Sequence, residues 1–184
     1  MGNAARWMRL GPIGPQAWLA SCAGMASDRT PGAAPVVLWA QATAPVVSDL
    51  VRIEEHHYAY ALIVPLRLAP GRRARWRAWG LTPALAAYRQ FGLPAYLDGD
   101  AICLDGRRIA ESGAREMGGC AVIASSFLPQ SPQARSRWTA RDLENVFRGR
   151  IEAQHGWQFD NAWPSADERA AIDEALAVEE TDAD

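Results

Sequence analysis

The chain has no lysine: all 19 of its basic residues are arginine. Any step that needs a compact ammonium would fall to a planar, bulkier and more directional guanidinium. Cysteine is nearly as scarce. Cys22, Cys103 and Cys120 are an odd number at wide spacing, which excludes a disulfide framework and a paired-cysteine zinc site and points to a reducing, cytoplasmic compartment. No apolar run approaches the roughly 20 residues that cross a bilayer, so no membrane is expected as a partner. The formal charge of −2 provides no broad field for gathering nucleic acid, and a polyanion site would have to be local. Finally, there is no glycine between Gly32 and Gly71.

What remains is an ordinary globular composition. With 184 residues, 49% of them hydrophobic, the chain suffices for one domain with a packed core and falls short of two. The expected domain spans 1–178, and the acidic end 179–184 is expected to fray. Leu19-Ala20-Ser21-Cys22 has the form of a bacterial lipoprotein cleavage box, but Gly11-Pro12-Ile13-Gly14-Pro15-Gln16 before it is too broken and polar for a signal-peptide apolar region. The opening Met1-Gly2 lacks the Ser or Thr that myristoylation prefers at position 6, which is Arg6.

Trp18, Leu19, Cys22 and Met25 recur at helical spacing and predict a first helix over 16–28. After a turn-rich link from Arg29 to Pro35, Val36 to Trp39 reads as a buried strand, Val46-Val47 as the start of another, and Tyr58 onward as a central strand ending near Pro65. Gly71 to Trp79 reads as an arginine-rich loop. Thr82 and Pro83 then look like the N-cap and first turn of a helix running to Phe91. Asp105-Gly106 and Gly118-Gly119 separate three extended runs and predict a meander. A connector from Pro129 to Arg137 precedes a helix from Thr139 to about Gln154. Ser165-Ala166-Asp167-Glu168 is a capping box for a last helix over 166–178. Strands followed by helices in this order predict an α+β domain, its sheet largely antiparallel.

The block from Gly92 to Ala110, Gly-Leu-Pro-Ala-Tyr-Leu-Asp-Gly-Asp-Ala-Ile-Cys-Leu-Asp-Gly-Arg-Arg-Ile-Ala, resembles the central segment of biotin and lipoyl protein ligases. The resemblance implies a mixed, largely antiparallel sheet backed by helices, in a class II synthetase-like fold. It also implies a small acyl or carboxylate ligand, activated as an adenylate and passed to a biotinyl or lipoyl carrier domain. In that family a glycine-rich loop cradles the adenylate, a lysine holds its charged oxygens, and a glycine after Lys-Ile-Ala lets the backbone approach.

This sequence departs from the pattern at each of these places. The glycine-rich loop has no glycine to build it. Arg108 stands for the lysine and Glu111 for the glycine. Gly99 replaces the Asn of an Asn-Asp pair, leaving Asp100, and Ile123-Ala124-Ser125 occupies a stretch where lipoyl ligases often carry histidine. The expectation is a degenerate member, a pseudoenzyme that binds without adenylating and needs no cofactor. Arg108, Asp100, Ile109, Ala110, Glu111 and Ser112 are its ligand-binding candidates. Strand alternation separates Arg107 from Arg108 and puts Glu111 on the opposite face from Arg108, and Arg108→Ala is expected to weaken an anionic ligand roughly tenfold.

Three other groups invite chemistry. Cys120 is a weak candidate nucleophile for an alternative acyltransferase that takes a pre-activated donor, although a small buried strand residue is the plainer reading. Glu54-Glu55-His56-His57 has metal-ligating residue types, but alternation would divide them between two faces, so no metal is expected. Arg72, Arg73, Arg75 and Arg77, interleaved with Trp76 and Trp79, could hold phosphates and stack bases, or meet an acidic carrier domain.

Overall fold

The computed structural model describes residues 3–27, 32–128 and 138–181. The expected connector Pro129–Arg137 and parts of the 29–35 link and the acidic end lie outside the described residues. In chain order the elements are β1 (Asn3–Ile13), α1 (Pro15–Ala26), β2 (Val36–Ala42), β3 (Val46–Val47), β4 (Arg52–Ile53), β5 (Tyr58–Pro65) and α2 (Trp76–Gln90). There follow β6 (Tyr96–Asp98), β7 (Ala101–Leu104), β8 (Arg107–Met117), β9 (Cys120–Phe127), α3 (Ala140–His155), β10 (Trp157–Asn161) and α4 (Ala166–Thr181).

Eight strands form one sheet in the order β10-β1-β2-β5-β9-β8-β7-β6, while β3 and β4 form a separate hairpin. β1 runs parallel to both β10 and β2, and the other neighbours are antiparallel. The sheet is therefore mixed and largely antiparallel, as expected. Both faces are covered, which is why β5 and β9 read as continuous apolar runs rather than alternating ones. One face packs Trp7, Trp39, Tyr60, Ile123 and Phe127 against Leu81, Tyr88, Leu143 and Phe147 of α2 and α3. The other packs Met8, Leu38, Ile63, Cys120 and Val122 against α1 and the β3–β4 hairpin. α4 lies outside α1, admitted by Gly24, where a Cβ would come within 2.5 Å of the Ile172 backbone.

Several elements differ from the sequence reading. α2 begins at Trp76, so Gly71 to Trp79 is not a continuous loop and Pro83 sits inside the helix. The carbonyl that Pro83 cannot serve is that of Trp79, and the Thr82 hydroxyl donates to it at 2.8 Å. Thr82 is thus a mid-helix repair rather than an N-cap. β1 and β10 were not expected at all. α4 is described to Thr181, past the expected end at 178. The cap signals did place helices: Thr139 and Asp142 form a reciprocal capping box on α3, and Ser165 and Glu168 do so on α4. Cys22 lies within α1 and is 1% exposed, with burial pushing its thiol pKa up to about 12. Among the described residues no helix is long and apolar enough to cross a membrane.

Candidate ligand-binding site

The β7–β8 hairpin turns at Asp105 and Gly106, whose φ angles of 51° and 75° are the left-handed pair that a tight two-residue turn requires. Just beyond it the register slips. Cys103 faces Arg108 while Ile102 faces Ala110, which leaves Ile109 as an extra residue on β8. Such a bulge resets the alternation of side chains. Arg108 and Glu111, expected on opposite faces, instead form an ion pair at 3.2 Å. That expectation is corrected: a one-residue insertion in the ladder converts an odd separation into a shared side.

The β4–β5 turn approaches the same place. His56 takes a positive φ of 65° and lies 3.4 Å from Glu55, so the Glu-Glu-His-His run is a turn, and no three-residue metal cluster exists among the described residues. His57 is half-buried; burial lowers its pKa and the Glu54 charge opposes that shift. His57 and Glu54 line a cavity of about 320 Å³ together with Arg52, Arg108, Glu111 and Ser126. Two motifs some fifty residues apart in sequence thus share one concave site. Both of its guanidiniums are already engaged, Arg52 with Glu54 at 3.2 Å and Arg108 with Glu111.

The other candidates are distributed differently. Ile109 and Ala110 line this cavity, but Ser112 is buried and its hydroxyl donates to the Ala124 carbonyl at 3.2 Å. The Asp100 carboxylate pairs with Arg77 at 2.8 Å and faces a separate cavity of about 830 Å³ beside Trp76 and Glu116. Cys120 is 1% exposed inside the core. No acyl donor can reach a thiol in that position, and the transferase reading loses its nucleophile.

The arginine-tryptophan interleaving is also partly structural. Trp76 is buried and its indole N–H donates to the Pro70 carbonyl at 2.7 Å, while Trp79 lies against His155 with ring centroids 4.2 Å apart. Arg73 pairs with Glu116 and Arg77 with Asp100. Neither indole is free to stack on a base.

The stretch without glycine holds β2, β5 and, between them, the β3–β4 hairpin. Its Val46, Leu50, Val51 and Ile53 are buried on the sheet. The Leu50 carbonyl lies so close to β8 that a Cβ on Gly113 would come within 1.2 Å of it. The hairpin thus turns those four aliphatic side chains to the core.

No family model matches the sequence, and no curated protein is similar to it by sequence. Solved structures are similar in three dimensions. A bi-partite lipoate protein ligase from Thermoplasma acidophilum, described with its E2 lipoyl domain, superposes with a TM-score of 0.77 over 95% of this chain and 92% of its own, at 8% identity. A lipoate-protein ligase A bound with ATP gives 0.73 over 95% and 94%, at 10% identity. The chain has the lipoate and biotin protein ligase fold. The biotin branch is represented by the biotin acetyl coenzyme A carboxylase synthetase of Helicobacter pylori with bound biotinylated ATP, at a TM-score of 0.55 and 13% identity over 82% of this chain and 75% of that one. Within this fold, Arg108 of the β7–β8 hairpin and Arg52 of β4 both line the cavity that His57 lines.

Proposed function

We propose that this chain is a degenerate ligase-fold protein that binds a small anionic or acyl ligand, or the carrier domain that bears one, without forming an adenylate. The observation that carries this reading is the β3–β4 hairpin seated on β8. Val46, Leu50, Val51 and Ile53 are in the core, and withdrawing them to expose backbone amides would return about 1.5–3 kcal/mol of apolar burial to water for each side chain. The lysine-free sequence agrees with it, since Arg108 stands at the place the resemblance assigns to lysine. The Thermoplasma ligase and its E2 lipoyl domain are the reason for naming a carrier domain as partner.

The decisive experiment is incubation of the chain with magnesium-ATP and either lipoate or biotin, followed by measurement of pyrophosphate and acyl-AMP. Neither is expected above background. ATP-dependent adenylate formation would overturn the reading.

The ligand would enter the 320 Å³ cavity with its anionic end on Arg108. Because the Arg108 side chain is 60% exposed, solvent screens the contact and the tenfold effect expected from sequence is too large. Arg108→Ala should weaken octanoate or lipoate by roughly fivefold, and Arg107→Ala should change little. Glu111 competes for the same guanidinium, so Glu111→Gln should tighten binding by a similar factor. Calorimetric titration of the three variants checks this, and unchanged affinity in Arg108→Ala and Glu111→Gln alike would remove Arg108 from the site.

A further inference from the structure

We infer that the chain carries a second small-molecule site, for a flat apolar carboxylic acid, in the cleft between the ends of β1 and β2 and the first turn of α3. The cleft holds about 340 Å³ and is lined by Arg9, Gly11, Trp39, Tyr58, Arg141 and Glu144, among others. It shares no lining residue with the Arg108 cavity, although Tyr58 directly follows His57. The inference therefore stands whether or not the Arg108 cavity binds anything.

Its floor is aromatic. Trp39 on β2 and Tyr58 on β5 lie nearly parallel, with ring centroids 5.3 Å apart and planes at 12°. Trp39 is 5% exposed, so its faces are committed to the core, whereas Tyr58 is only half-buried and lines the opening. A half-covered ring already stacked on one partner is a ready platform for a second flat group. The wall is set by a register shift in β1 between Arg9 and Gly11. Gly11 has φ 72° and nothing lies within 4 Å of where its Cβ would be, so the bulge leaves this end of the strand open.

The cations around the platform have hydrogen-bonding capacity that the nearby carboxylates do not use. Glu144 is 9% exposed and its Oε1 accepts from the Trp7 indole N–H at 2.7 Å and from Arg9 Nε at 2.5 Å. That engages the carboxylate while leaving the terminal nitrogens of Arg9, half in solvent, uncommitted. Arg141 is exposed and has no hydrogen bond or ion pair among the described residues. Asp142, its neighbour, is turned back onto Thr139, which also closes the helix end, so the anchor is the guanidinium pair and not the α3 amides. Glu144 and Asp142 balance the two cations in formal charge, but both carboxylates are engaged by protein donors, whereas the guanidiniums of Arg9 and Arg141 keep unused N–H groups beside an apolar shelf. A planar ring bearing a carboxylate complements both.

The test is a nuclear magnetic resonance titration of the chain with naphthoate, following the Trp39 indole N–H and the Ala140 and Arg141 amides against those of Arg108 and Glu111. Saturable shifts are expected at the first group, and any shift at the second should follow a separate titration curve. Arg141→Ala and the neutral analogue naphthalene methanol should each weaken binding about fivefold, Tyr58→Leu should weaken it also, and Arg108→Ala should leave it unchanged. The inference is overturned by shifts centred on Arg108 and Glu111, by equal binding of the acid and the alcohol, or by no saturation at millimolar naphthoate. A loss with Arg108→Ala alone would locate the acid in the other cavity.

Discussion

Gly113→Ala is expected to lower the unfolding free energy by about 3 kcal/mol or more, a large share of the 5–15 kcal/mol typical of a domain. The added methyl would meet the Leu50 carbonyl carbon and oxygen, which are backbone and cannot rotate away as a flexible side chain would. Relief requires the β3–β4 hairpin to lift from β8, and that movement withdraws Leu50 and Val51 from the core. Gly149→Ala is the matched control. Gly149 is in the interior of α3 with nothing within 4 Å of its Cβ position, so alanine there should stabilise by about 0.5–1 kcal/mol through helix propensity. Denaturant midpoints for the two variants decide the matter. An unchanged midpoint for Gly113→Ala would mean that the hairpin does not sit on β8, and the argument against adenylate formation would lose its main support.

The second large effect is a dependence of stability on pH. His155 closes α3 between Trp79 and Trp157, with ring centroids 4.2 and 5.0 Å away, and its Nε2 is buried without a hydrogen-bond partner. Burial pushes its pKa from 6.5 down to about 4. The folded chain therefore keeps the ring neutral where the unfolded chain would protonate it. Its contribution is fully present above about pH 6.5 and is lost as the pH falls toward 4. The loss amounts to roughly 2–3 kcal/mol, the flanking indoles offsetting part of the cost of burying an imidazolium. His155→Phe keeps a ring between the indoles and removes the proton site, so its unfolding free energy should fall less than that of the wild type between pH 7 and 4.5. Equal slopes in the two proteins would show that His155 is not the titrating group.

Much of the architecture was legible because its signals are local. Asp105-Gly106, Gly118-Gly119, Thr139 with Asp142 and Ser165 with Glu168 each act within four residues, and each turn or cap is found where it was expected. What escaped notice depends on distant partners. Trp157 and Phe159 alternate inward on β10, but five residues are too few to announce a strand, and this one exists because β1 lies beside it. β1 carries glycine and proline near its end, which reads as a turn until the bulge at Arg9–Gly11 is seen. In the candidate site, the named residues are grouped differently from the sequence reading. The slip at Ile109 joins Arg108 to Glu111, and Arg77 draws Asp100 toward a different cavity. The bulge and the choice of ion-pair partner leave no mark in the local residue pattern of this segment. The convergence of Glu54 and His57 on Arg108 was likewise invisible, since alternation was applied to a run that forms a turn.

The position of β1 between β2 and β10 also has a consequence for biosynthesis. Asn3 and Ala5 pair with Trp157 and Phe159, so one flank of β1 is completed by a strand made some 150 residues later. Until then β1 presents an open row of amides and carbonyls, the kind of edge that recruits strands from other chains. Pairing across almost the full length of the polypeptide is also slow to search out. A nascent or truncated chain ending before Trp157 would carry that open edge for as long as it persists, and expression of such fragments should yield more aggregate than expression of all 184 residues.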